Sequence, residues 1–224
     1  MCGRITLYLS PELLAELFGL PELPRISPRF NICPSQQIGV VRNLGGDNHL
    51  DFLKWGLVPS WADDPAIGYR LINARSETVF EKRSFRQSIR TRRCLVPASG
   101  FYEWQKGVKG DSPYYVSMGD GAPMAFAGIW ESWKGPSGIQ LESCAILTTA
   151  ANRLMEPIHD RMPVILHPGE YSLWLDREVS DVSDIQPLFR PYPPDAMTAT
   201  RVSTLVNSPA NDLQECIAPL DSSP

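Results

Sequence analysis

Between Cys94 and Thr149 five short runs rich in aromatic and β-branched residues follow one another: CLVPA (94–98), FYEW (101–104), PYYVSM (113–118), MAFAGIWESW (124–133) and IQLESCAILTT (139–149). Gly and Pro break the chain between them, so these runs read as strands, and connections this short imply antiparallel pairing. IGVV (38–41) and LDFLKW (50–55), separated by Leu44-Gly45-Gly46-Asp47, read as a further hairpin. Helical signals lie outside this block. Ser10-Pro11-Glu12 followed by LLAELFG gives an N-cap, a first-turn proline and a stop at Gly19. Val79, Phe80, Phe85 and Ile89 are spaced to line one face of a helix capped by Ser76, and residues 168–175 and 180–189 offer shorter helical segments. The fold class expected is α+β: one domain over residues 1–224, with a mainly antiparallel, barrel-like sheet and peripheral helices.

The 224 residues suffice for a substantial core and a shaped cleft. No run of 18 apolar residues and no signal peptide is visible in the sequence, so a soluble, cytoplasmic protein is expected. Five scattered cysteines, Cys2, Cys33, Cys94, Cys144 and Cys216, lack C-x-x-C or zinc-ligand spacing; they read as free thiols with no metal site. The net charge of −4 disfavours coating of duplex DNA by phosphate neutralisation alone. Residues 81–93, however, carry six bases against Glu81 alone, which suits either a local nucleic-acid groove or a solvated face.

Cys2 is the first unusual position, because a small residue after Met1 usually permits methionine removal. An N-terminal cysteine is bifunctional. Its α-amine, with an ordinary pKa near 7.7–8.0, condenses with an aldehyde to an imine, and its thiol can close on the same carbon as a thiazolidine. A second-position cysteine is otherwise an ordinary small residue. His159, held between Pro157 and Pro163, suits proton transfer near neutrality or a structural turn equally. In a strand, Glu103 shares a face with Phe101, opposite Tyr102 and Trp104; it then points either into a partly apolar pocket that raises its pKa or to solvent. Asn73 and Arg75 precede the expected helix, where they suit a sugar oxygen and a phosphate, or a cap and a surface ion pair. In Trp55-Gly56-Leu57-Val58-Pro59-Ser60-Trp61 the two indoles suit base stacking, with core packing the commoner role for Trp55.

Taken together, Met1-Cys2-Gly3-Arg4, Arg29 to Pro34, WGLVPSW, INARSET, GFYEW, Leu147-Thr148-Thr149-Ala150, IHDRMP and the segment from Val202 to Ile217 resemble the SOS-response-associated peptidase (SRAP) family of abasic-site processing proteins. The motifs keep their order over nearly the whole chain; Phe30 stands where the family often has Tyr. The resemblance implies a barrel-like core with helices and covalent capture of the ring-opened abasic site by the N-terminal cysteine. By position, Cys2 is the implied nucleophile, Asn73 positions the sugar or the cysteine, Glu103 shuttles protons, and His159 assists ring opening and reversal. Arg4, Asn31, Pro34, Trp61, Arg75, Thr148 and Arg161 are implied to line the DNA channel.

Two other functions compete with a DNA-crosslinking enzyme of lyase-like chemistry. A cysteine peptidase, acting on Met1-Cys2 or on other chains, would use Cys2, His159 and Glu103 as nucleophile, base and orienting acid. A non-enzymatic module would bind single strands through tryptophans and arginines alone. G-x-S-x-G, H-E-x-x-H and P-loop motifs do not occur. No cofactor is implied, the expected partner is single-stranded DNA containing abasic sites, and a monomer suffices because one lesion needs one cysteine.

Overall fold

In the computed structural model, residues 2–107, 112–179 and 181–220 are described. Met1, Ser180 and residues 221–224, included in the sequence readings above, lie outside the described residues. The strands are β1 (Ile5–Leu7), β2 (Arg29–Ile32), β3 (Gln37–Leu44), β4 (Asp47–Trp55), β5 (Asn73–Arg75) and β6 (Arg93–Ala98). After these come β7 (Gly100–Gln105), β8 (Ser112–Met118), β9 (Met124–Lys134), β10 (Gln140–Ala150), β11 (Arg161–Pro163) and β12 (Met197–Arg201). Short helices α1 (Pro11–Phe18), α2 (Ser88–Thr91), α3 (Tyr171–Leu175) and α4 (Val182–Ile185) lie between them.

The α+β class is as expected, and barrel closure has a definite route. In the larger sheet β10, β4, β3, β6 and β9 follow one another, and β9 pairs back onto β10 to close a five-stranded ring. The smaller sheet has the order β12-β8-β7-β1-β2. Most pairings are antiparallel, but β10 runs parallel to both β4 and β5. These two parallel joints involve strands distant in sequence, and periodicity within a strand carries no record of such a partner.

Local signals behave as their chemistry dictates. Ser10 accepts the Leu13 N–H and Gly19, at φ +59°, ends α1, whose Leu14 and Phe18 are buried. Gly45 and Gly46, at φ +71° and +106°, turn β3 into β4, the geometry a two-residue hairpin loop demands. Phe101 packs edge-on against Phe126 in the main core, while Tyr102 joins Tyr115 in a separate aromatic cluster.

The helix expected over the Ser76–Ile89 region does not form as one unit. The segment folds as successive turns, and only Ser88–Thr91 is α-helical. Val79, Phe85 and Ile89 are buried as a helical face would require. The turns, however, alternate three- and four-residue hydrogen bonds, Glu81 and Lys82 both donating to Thr78 O, and Phe85 and Arg86 both to Lys82 O. Tertiary anchoring of each apolar residue has overridden the regular repeat.

Where this segment enters β6, Arg93 is 7% exposed and satisfies five backbone carbonyls: Trp174 (2.6 Å), Ile89 (3.1 Å), Arg90 (3.2 Å), Val179 (2.7 Å) and Asp176. One guanidinium therefore ties α2 and the end of α3 to the barrel. Arg93→Leu strands these carbonyls and is expected to cost about 3 kcal/mol or more, read as a lower denaturant midpoint at unchanged m-value. A loss under about 1 kcal/mol would mean that water replaces the guanidinium.

Candidate active site

The chain before β1 continues along β7, where the Tyr102 N–H donates to Arg4 O at 2.9 Å. This register carries Cys2 past Tyr102 to the level of Glu103. Cys2 is fully buried, its carbonyl accepts Asn73 Nδ2 at 2.7 Å, and the Arg4 backbone N–H points to its sulfur. Burial raises the Cys2 thiol pKa, and the Glu103 carboxylate raises it further. The sulfur is thus held as a thiol at neutral pH.

Glu103 is 3% exposed, as alternation in β7 with its face inward requires. Burial lifts its pKa above the ordinary carboxylate range, while a charge on His159 pulls it back. His159 Nδ1 lies 3.0 Å from the Arg161 backbone N–H and 3.0 Å from the Asp160 carboxylate. The N–H is a fixed donor and Asp160 is at the surface, so Nδ1 is the acceptor in the neutral ring and Nε2 carries the proton. Cys2, Asn73, Glu103 and His159 therefore form one hydrogen-bonded and electrostatic group.

Asn73 and Arg161 are delivered by short strands on either side of β10. Thr148, buried in β10, is opposite Arg75 of β5 and Pro163 of β11. Its carbonyl accepts the Ser76 N–H at 2.9 Å and Arg161 Nη2 at 2.6 Å. Arg161 also binds Glu77 through both terminal nitrogens, at 2.5 and 2.8 Å. Among the described residues, the buried side-chain atoms without a hydrogen-bond partner include Asn73 Oδ1, Thr148 Oγ1, Arg4 Nε and Arg161 Nε. Buried polar atoms are ordinarily satisfied, so the unpartnered Oδ1 of Asn73, whose Nδ2 binds the Cys2 carbonyl, suits a site shaped for a polar ligand.

The remaining sequence candidates lie elsewhere. Arg4 Nη1 donates to Asn31 Oδ1 (2.7 Å) and Val206 O (2.5 Å), and its guanidinium lies 5.5 Å from the Trp104 ring. Asn31 is fully buried, and its amide nitrogen faces the carbonyls of Val206, Ser208 and Asn211. Its reach is to Arg4 and to the C-terminal segment. Arg75 is exposed and Pro34 is half-buried beside Ser35, which has φ +74°. Trp61 is 41% exposed under Arg83, whereas Trp55 is core, its Nε1 donating to Ile72 O. Glu77, Trp104, Asn207 and Asp212 had no assigned role in the sequence reading. Trp104 Nε1 donates to Asn207 Oδ1 at 2.7 Å, and Asp212 accepts the Phe30 and Asn31 N–H groups at 2.5 and 2.8 Å. Their motifs, FYEW and Val206-Asn207, were visible; their pairing was not.

Among the described residues there is no group of three His, Cys, Asp or Glu side chains placed to hold a metal, and no helix long and apolar enough to cross a membrane.

Residues 1–209 match the family model described as SOS response associated peptidase (SRAP). The chain is 44% identical to "Abasic site processing protein YoqW" of Bacillus subtilis over 97% of this chain and 99% of that protein. It is 32% identical to "Abasic site processing protein HMCES" of Mus musculus, covering 99% of this chain and 76% of that one. A crystal structure of a protein from Bacteroides thetaiotaomicron superposes with a TM-score of 0.88 at 25% identity, covering 98% of this chain and 100% of that one.

Asn31→Ala removes the amide shared by Arg4 and three backbone carbonyls. The expected result is a loss of about 2–3 kcal/mol in chemical denaturation, together with faster amide exchange over residues 206–212. Unchanged exchange there would show that Asn31 does not hold this segment.

Proposed function

The chain belongs to the SRAP family, and we propose that it captures abasic sites in single-stranded DNA covalently, through the α-amine and thiol of Cys2 after removal of Met1. The observation that carries this reading is the buried Cys2, hydrogen-bonded to Asn73 and held beside Glu103 with its thiol pKa raised. A thiolate-driven peptidase needs the opposite shift. In the proposed capture the thiol stays protonated and the amine reacts first.

Ring opening moves the hydroxyl proton of the abasic sugar from C1′ to the ring oxygen as the C1′–O4′ bond breaks, exposing the aldehyde; His159 in its protonated form, beside Asp160, donates from Nε2 to the ring oxygen and recovers its proton from the C1′ hydroxyl. The neutral Cys2 amine adds to C1′; Glu103 carries one amine proton to the aldehyde oxygen to give the carbinolamine and then the second to its hydroxyl, and water leaves to form the imine. The Cys2 S–H then adds across C=N, sulfur to carbon and proton to nitrogen, closing the thiazolidine. One water is released overall. Asn73 holds the Cys2 carbonyl, fixing the amine's approach, while its unpartnered Oδ1 is placed to accept from a sugar hydroxyl. Arg4, Arg75, Thr148 and Arg161 supply polar contacts along the strand, and Asn31 acts through Arg4.

The first test uses Met1-processed protein and an oligonucleotide with one abasic site, read as a heat-stable band on a denaturing gel. Cys2→Ala is expected to give no band without reduction. Cys2→Ser, which like Cys2→Ala keeps the α-amine and lacks the thiol, is likewise expected to give a band only after borohydride reduction of the imine. A stable band with Cys2→Ala would overturn the reading.

Glu103 yields a pH test. Its basic form populates only above its raised pKa, so the single-turnover rate should climb along an acid limb displaced above the ordinary glutamate value of about 4.3. Glu103→Gln is expected to remove that limb, leaving only the separate rise set by the Cys2 amine near 7.7–8.0, and to slow the reaction about 100-fold or more. An unaltered limb would assign the proton transfer to another group.

A further inference from the structure

The loop between β4 and β5 shapes an open surface cavity of 610 Å³, of a size that holds small organic ligands, lined by Trp61, Ile67, Tyr69, Arg70, Asp63 and Asp64 among others. We propose that this cavity is a stacking subsite for an unpaired nucleobase near the abasic site, with Tyr69 as its principal platform. The inference rests on the capture reading above and extends it to the undamaged part of the strand.

Tyr69 is 63% exposed and Trp61 41%, a heavy commitment of aromatic surface to solvent on one loop. A cation lies against each ring: Lys54 Nζ is 5.2 Å from Tyr69 and the Arg83 guanidinium 4.1 Å from Trp61. Among the described residues neither cation is in an ion pair. Aromatic rings edged by uncompensated cations are the combination that binds single strands without regard to sequence, the rings taking bases and the cations the backbone. Residues 54–93 carry nine bases against four acids on a chain whose net charge is −4, so this stretch is where a polyanion is attracted. Of the two acids in the cavity wall, Asp64 is turned back to accept the Ala66 N–H at 2.8 Å.

The loop presents its rings rigidly. At its base Gly56 has φ +128°, and a Cβ on Gly68 would sit 2.6 Å from Gly56 O, so the two backbones are in direct contact. Trp133 Nε1 donates to Ala62 O at 2.6 Å, and Ile67 packs with Val58, Ala62 and Trp133 beneath the cavity. A preorganised site loses little entropy when a base enters.

Position links the cavity to the lesion. Arg70 is three residues before Asn73, a span of at most ~11 Å. That span equals about three nucleotides at the stacked spacing of 3.4 Å, and fewer in an extended strand. Tyr69 is one residue further, at most ~14 Å from Asn73, which keeps it within about four nucleotides of the captured sugar.

The experiment compares Met1-processed wild type, Tyr69→Ala and Tyr69→Phe. Binding is measured by fluorescence anisotropy and single-turnover crosslinking at saturating DNA. The oligonucleotides carry the abasic site flanked either by normal nucleotides or by baseless tetrahydrofuran spacers. Tyr69→Ala is expected to weaken binding of the normal strand about 5- to 100-fold, and Tyr69→Phe to restore it to within about twofold. With spacers the three proteins should bind alike, and the saturated crosslinking rate should not change. Equal binding by all three on the normal strand, or an equal loss by Tyr69→Ala on the spacer strand, would overturn the subsite. If none of the proteins crosslinks, the capture reading fails, while the anisotropy comparison still decides the subsite.

Discussion

Strand β10 is hydrogen-bonded to four others, β9, β4, β5 and β11, and the rest of the structure hangs on those pairings. Its first half closes the barrel against β9 and β4. Its second half spreads the short strands β5 and β11, which would not hold together alone, to either side of Thr148. Asn73 is on one of these strands and Arg161 on the other, with His159 two residues before that strand begins. The third component arrives from the smaller sheet, where β7 supplies Glu103 and guides Cys2 alongside it. A group contributed by residues 2, 73, 103 and 159 is thus assembled by backbone ladders, whose register tolerates no slip without turning each side chain to the opposite face.

Within that frame, low dielectric orders the proposed chemistry. Burial disfavours charge on both Cys2 and Glu103, and the charge of each disfavours that of the other. A thiolate at this place would compete with the amine for the aldehyde and would be repelled by the carboxylate that must accept the amine's proton. Holding sulfur as the neutral thiol reserves it for the second addition, in which it brings its own proton to the imine. The fixed tautomer of His159 complements this, because a ring whose Nδ1 accepts a backbone N–H presents Nε2–H to the site.

Elements with strong local chemistry were legible in the sequence. Ser10 and Gly19 bound α1, Gly45-Gly46 turns a hairpin, and alternation in FYEW places Glu103 with Phe101 away from Tyr102. The site residues were legible through their motifs, although nothing in composition or periodicity sets Cys2 against Asn73. Distant pairings left no local trace: the parallel joints of β10, the Glu77 clamp on Arg161 and the Asp212 link between the C-terminal segment and β2. The amide of Asn31 also binds Arg4 and the C-terminal segment, contacts that its motif does not reveal. The Ser76–Ile89 segment shows the converse: its apolar spacing was sound, but three core anchors fixed it into turns before a continuous helix could form.

Charge near the site is largely answered within the protein. Arg161 is engaged by Glu77 and the Thr148 carbonyl, and Arg4 by Asn31 and Val206. A half-exposed ion pair such as Glu77–Arg161 is worth little, so a phosphate can replace the carboxylate at small cost, but it also gains little over what it displaces. Non-covalent hold on an intact strand must then come from stacking and from the few uncompensated cations, among them Lys54 and Arg83. Under the proposed covalent capture this is an advantage: weak binding would permit search along undamaged DNA, and the bond to Cys2 would supply the residence time where an aldehyde is met.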